Sequence, residues 1–217
     1  MPLNPVPTEL TTAGTDAALA LLCLIVAARL RPCRRLDPWK TGLWLWILAL
    51  LAVASALGAV AHGLDLSASV RAVLWYPLYF SLGLTVALFV AGAILDWRGP
   101  GLARRAIPWA VLCALTFSLI APLLGGSFFL FIGYEAMAMC SALLIYLNIF
   151  RHGRQNGSGR IAVAILLSML AAAVQASDLA VTFLVPLDHN GLFHLLQMAA
   201  IMLLGSGLRA GLHEQPG

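Results

Sequence analysis

The sequence predicts an all-α, polytopic membrane protein: a single domain over 1–217, folded as a seven-transmembrane-helix bundle with its N-terminus outside and its C-terminus cytoplasmic. Three observations predict it. Hydrophobic residues fill 61% of the 217 positions and charged residues only 10%, whereas soluble domains are roughly half apolar and a quarter charged. The apolar residues gather into runs long enough to cross a ~30 Å hydrocarbon core. The basic residues fall after every second run, as the positive-inside rule requires of alternating loops.

The first run, 12–30, follows a tail, Met1–Leu10, that lacks the basic segment and small-residue cleavage site of a signal peptide, so the run is expected to stay in the mature chain. Arg29, Arg31, Arg34, Arg35 and Lys40 then mark the cytoplasmic side. The second run, 41–62, carries Ala52, Ser55, Ala56 and Ala59, and the third, 72–95, carries Ala87, Ala91 and Gly92, small residues that let helices approach closely. Arg98, Arg104 and Arg105 follow the third. The fourth run, 106–124, leads to the fifth, 127–149, after which Arg151, Arg154 and Arg160 lie in a glycine-rich polar connector. The sixth and seventh runs read as 161–186 and 192–208, and Arg209 closes the pattern. Only Arg71, of thirteen basic residues, falls on the other side, which places the loops near 65, 125 and 188 outside.

The net charge of +4 is therefore a topology signal, and nucleic acid is not an expected partner. The expected location is a plasma membrane or bacterial-type inner membrane, with membrane lipid as the surrounding partner. Trp39, Trp44, Trp46, Trp97 and Trp109 near the inner boundary and Trp75 near the outer one read as interfacial anchors. Cys23, Cys33, Cys113 and Cys140 make neither a disulfide framework nor a CxxC metal pattern, so packing is their expected role.

Against this apolar background, six of the seven runs carry hydrogen-bonding or ionisable residues toward the outer face: Asp16, His62, Tyr79, Glu135, Gln175, Asp178, His194 and Gln197. A carboxylate in hydrocarbon costs on the order of 2.5–3.5 kcal/mol even on the lenient insertion scale, so such residues point to a site with a nearby partner. Glu135 lies eight residues inward from Ser127, ~12 Å at 1.5 Å per residue. Asp178 lies eight before Pro186, so the two carboxylates are expected at one depth, with Gln175 facing the same way. Glu9, Thr12 and Asp16 share one helical stripe. His62 ends the second run and His194 opens the seventh from the same side, and Asp188, His189, Asn190 and Gln197 surround His194 in sequence.

A histidine ending the second of seven spans, joined to a histidine motif opening the seventh, resembles the superfamily of alkaline ceramidases, progestin and adiponectin receptors and related seven-span hydrolases. The resemblance implies a zinc ion held by His62 and His194, activating water for cleavage of a lipid amide or ester at the outer face. The sequence departs from that pattern at three points. Asn190 stands where the family's final HxxxH motif has its first histidine, Gly58 stands where a serine precedes the second-span histidine by four residues, and no aspartate occurs around Val73, although Asp65 is near. His189 or Asp188 would complete a three-ligand zinc set. Glu135 and Asp178 would be the catalytic carboxylates that orient ligands or shuttle a proton, with Asp16, Tyr79, Gln175, Asn190 and Gln197 supporting metal or substrate.

Two other classes remain open from sequence. A proton-coupled transporter or receptor would use Asp16, Glu135 and Asp178 as a relay, but the cytoplasmic halves of the runs read as nearly all apolar, with Asn148 the main exception, and no inverted repeat is evident. A cofactor-holding or assembly subunit would ligate haem through His62 and His194. The plainest reading of each polar residue taken singly is a hydrogen bond between helices, contributing about 0.6 kcal/mol on average.

Overall fold

The computed structural model describes residues 2–123 and 128–213, so the expected outer loop near 125, with Ser127, lies outside the described residues. The chain forms α1 (Pro7–Leu30), α2 (Pro38–Gly63), α3 (Ala68–Arg98), α4 (Pro100–Leu123), α5 (Phe128–Arg151), α6 (Ser158–Gln175) and α7 (His189–His213). All seven are long and apolar enough to cross a membrane. A 3-10 turn, Arg31–Arg35, joins α1 to α2, and a small antiparallel hairpin, β1 (Val181–Thr182) with β2 (Pro186–Leu187), precedes α7.

The boundaries follow from local chemistry. Proline stands in the first turn of α1 and α2, where its missing N–H is no loss. Asp37 caps α2 by accepting from the Lys40 amide at 2.8 Å, as N-cap carboxylates do. Gly99 ends α3 at φ 81° and Gly157 precedes α6 at φ 79°, a left-handed backbone open chiefly to glycine. Gly157 also packs so closely on Gly207 of α7 that a side chain there would meet backbone.

The sixth helix departs from expectation. It stops at Gln175 rather than running to 186, and Asp178, expected inside the span, sits exposed in the following loop. Ser177 explains the stop: its hydroxyl donates to the Val174 carbonyl at 2.6 Å and accepts from the Leu179 amide at 3.2 Å, local bonds that compete with the helical ladder. The apolar stretch beyond it pairs as the hairpin instead. At the other boundary α7 starts three residues earlier than expected, because Asp188 caps it through the Gly191 amide at 2.8 Å.

Six helices close a ring. α1 packs on α2 and α7, α7 on α6, α6 on α5, α5 on α3, and α3 on α2. α4 packs on the outside against α3, with Phe117 stacked on Tyr134 of α5 at 5.0 Å between ring centres. The helix that carries none of the polar layer is thus the one left out of the ring. Trp44, expected as an interfacial anchor, is fully buried with its ring edge-on to Phe89, and Gly92 of α3 makes room for it. The halves expected on the cytoplasmic side are also less apolar than the sequence suggests. Lys40 and Asp96 form a buried ion pair at 2.7 Å, and Asp96 accepts from Tyr146 at 2.9 Å and Gln155 at 3.2 Å.

Candidate functional site

Alternation of the helices brings the starts of α1, α3, α5 and α7 and the ends of α2 and α6 to one end of the ring. There the N-terminal segment is tied down, with Leu3 bridging Leu64 and Asn4 donating to the His62 carbonyl at 3.0 Å. Below it a cavity of about 980 Å³ opens between the six helices. Asp16, Glu135 and His194 reach it roughly one and a half to two and a half turns inside their helices.

The Glu9, Thr12 and Asp16 stripe of α1 holds this end together. Glu9 Oε2 lies 2.7 Å from His62 Nδ1, the fully buried Thr12 hydroxyl donates to Asp188 Oδ1 at 2.8 Å, and Asp16 Oδ1 lies 3.2 Å from His194 Nε2. The other nitrogen of His194, Nδ1, lies 2.9 Å from the Thr15 hydroxyl. Asp16 and His194 are both buried, so a carboxyl group from α1 and a histidine from α7 form one desolvated pair, with the half-buried Thr15 beside it. A Cβ on Gly58 would stand 2.5 Å from Asp16 Oδ2. The glycine found where the resembling family has serine is therefore the space that the carboxylate of α1 occupies.

Of the expected site residues, Asp16, His62, Tyr79, Glu135, Gln175, Asp178, His189, Asn190, His194 and Gln197 all line this cavity, Asp178 from its exposed loop rather than from helical depth. Asp188 does not line it and serves as the α7 cap. Gln175 donates to Asn190 Oδ1 at 3.1 Å, joining α6 to α7. Glu135 is buried with Oε2 unpartnered, and the side-chain oxygens of Gln175 and Gln197 are likewise buried without a partner. Trp75, expected as an anchor, faces the cavity beside His62 and Tyr79, at 6.3 and 5.5 Å between ring centres. The deeper wall is apolar, with Leu19, Val86, Phe89, Ile165, Ile201 and Leu204.

The residues expected to hold zinc meet other side chains of the ring. His62 is turned to Glu9, His194 lies between Thr15 and Asp16, and Asp188 Oδ1 takes Thr12 and the Gly191 amide. Among the described residues no group of three or more His, Cys, Asp or Glu side chains is placed to hold a metal ion. Catalytic zinc needs three protein ligands within ~2.3 Å and an open fourth position.

Comparison with curated proteins and with solved structures finds no match. The family comparison does: with residues 11–213 matched, from within α1 to the end of α7, the chain belongs to DUF6962, a family of unknown function.

Proposed function

We propose that the chain is a membrane-embedded hydrolase for a lipid-like amide or ester, which enters from the outer leaflet with its polar end among Asp16, His62, Glu135 and His194 and its chain against the apolar wall. The observation that carries the reading is the division of one cavity into a polar end and an apolar depth, the form expected of an amphiphile site with a few placed polar groups. Placement of His62 and His194 on the second and seventh helices supports it by analogy with the resembling hydrolases.

Within this reading Asp16 is the base and His194 its positioning partner. Both imidazole nitrogens are engaged, by Asp16 and Thr15, which leaves Asp16 Oδ2, over Gly58, as the acceptor for a water. Water adds its hydroxyl to the acyl carbon and its proton passes to the carboxylate; the proton then moves to the departing amine or alkoxide as the acyl bond breaks, giving acid and amine or alcohol. General-base assistance of this kind contributes typically 10²–10⁴-fold. Thr15 does not line the cavity, so it holds the imidazole and does not act as nucleophile.

The test is hydrolysis of fluorogenic long-chain amides and esters by purified protein in a neutral detergent. Turnover should fall roughly 10²-fold or more in Asp16→Asn, with the variant still folded. Absence of turnover from wild type, or full activity in Asp16→Asn, would contradict the proposal. A zinc-dependent version would require Thr15 or Asp16 to release one nitrogen of His194, whereas Glu9 holds only Nδ1 of His62. Elemental analysis of protein purified without chelators separates the two versions, and substoichiometric zinc is the expected result.

A further inference from the structure

Glu135 is the least explained group in the ring. It is only 8% exposed, it lines the cavity from α5, and its Oε2 is buried with no hydrogen-bond partner. A lone buried carboxylate is strongly unfavourable unless paired. Two more unsatisfied atoms belong to residues lining the same space, Gln175 Oε1 from α6 and Gln197 Oε1 from α7. All three are acceptors. What the cavity lacks is therefore a set of donors.

We propose that the head group taken by this cavity is an ammonium with Glu135 as its counter-ion, so that the ligand is a long-chain amphiphile with a free amino group, for which a long-chain amine is the simplest probe. This rests on the amphiphile reading above and narrows it to acyl compounds that carry, or release, such an amine. A primary ammonium carries N–H donors and no acceptor, the complement of acceptor oxygens left without donors. The charge balance points the same way. Among the described residues Asp16, Glu135 and Asp178 line the cavity and no Lys or Arg does, so an anionic head group would meet three carboxylates and no fixed cation from them. Aromatic faces complete the match: Trp75 and Tyr79 line the wall from α3, and Phe131 lies one turn from Glu135 on α5. Such rings attract a desolvated cation within about 6 Å of their centres.

The test is thermal unfolding of the purified protein in a neutral maltoside detergent with dodecylamine, dodecanol, dodecanoate or butylamine. A ligand that binds only the folded state raises the midpoint in proportion to the logarithm of its concentration over Kd. Dodecylamine should bind roughly tenfold or more tightly than dodecanol, the margin expected of a charged hydrogen bond. Glu135→Gln should erase that margin and leave dodecanol unchanged. Gln197→Leu, which keeps the carboxylate and removes one acceptor, should reduce the amine margin without abolishing it. Equal shifts from dodecylamine and dodecanol, or an undiminished margin in Glu135→Gln, would overturn the assignment of Glu135 while the amphiphile cavity stands. A butylamine shift as large as that of dodecylamine would replace the amphiphile by a small soluble amine. Absence of any shift would overturn the cavity reading itself, and this inference with it.

Discussion

Asp16 is held from two helices besides its own, with His194 of α7 at one oxygen and the bare backbone of Gly58 on α2 beneath the other. Removing one partner of a buried hydrogen bond strands the other, which costs roughly 1–3 kcal/mol, whereas an isostere that keeps a hydrogen bond loses less. Asp16→Ala should therefore lower stability by about 1–3 kcal/mol and Asp16→Asn by no more than about 1, as denaturant titration in detergent would report. Gly58→Ala should mimic the functional loss of Asp16→Asn, since the added methyl and the carboxylate cannot share the same space. A fully active Gly58→Ala protein would show that Asp16 does not work from this position. The α1 stripe was legible because Glu9, Thr12 and Asp16 recur at helical spacing in an otherwise apolar run. Trp44 and Trp75 were not, because a tryptophan near a boundary satisfies the interfacial rule whichever way its helix turns it. Asp96 escaped notice for a similar reason: beside Arg98 at a span end it reads as solvated, and only the fold brings Lys40, Tyr146 and Gln155 onto it.

At the scale of elements, helix existence followed from hydropathy, while helix ends followed from single hydroxyls and carboxylates that hydropathy ignores. The end of α6 is the clearest instance. The residues from Leu179 to Val185 are apolar enough to extend a span, yet Ser177 diverts the backbone and the hairpin takes it up. Amide hydrogen exchange should therefore be slow along α6 up to Gln175 and fast from Asp178 to Val185, except at the paired strand residues. Uniform protection through 186 would restore the longer span and return Asp178 to the interior. A second element-scale prediction concerns the α2–α3 contact, where a Cβ on Gly92 would stand 2.8 Å from the Trp44 ring. Gly92→Leu should destabilise by about 1–3 kcal/mol through overpacking, read as a lowered unfolding midpoint with ligand-free and ligand-bound protein affected alike.

For the whole molecule, the polar layer named from six runs and missing from the fourth corresponds to a ring of six helices with α4 outside. Sequence could give the layer, because depth is counted along each run, but not the ring, because which helices are neighbours depends on packing. The proposed orientation puts the cavity mouth outside. In a cysteine-free background, a cysteine replacing Ser177 should react with an impermeant maleimide in intact cells, and one replacing Arg154 should react only after lysis; the reverse pattern would invert the protein. The central claim, that the ring encloses a site for one amphiphile, is tested most directly by native mass spectrometry of protein released from a neutral detergent. Wild type should retain a single amphiphile per chain, and Ser168→Trp, which fills the cavity from α6, should retain none while remaining folded. Identical lipid retention by the two proteins would place the bound molecules on the outer surface and contradict the account.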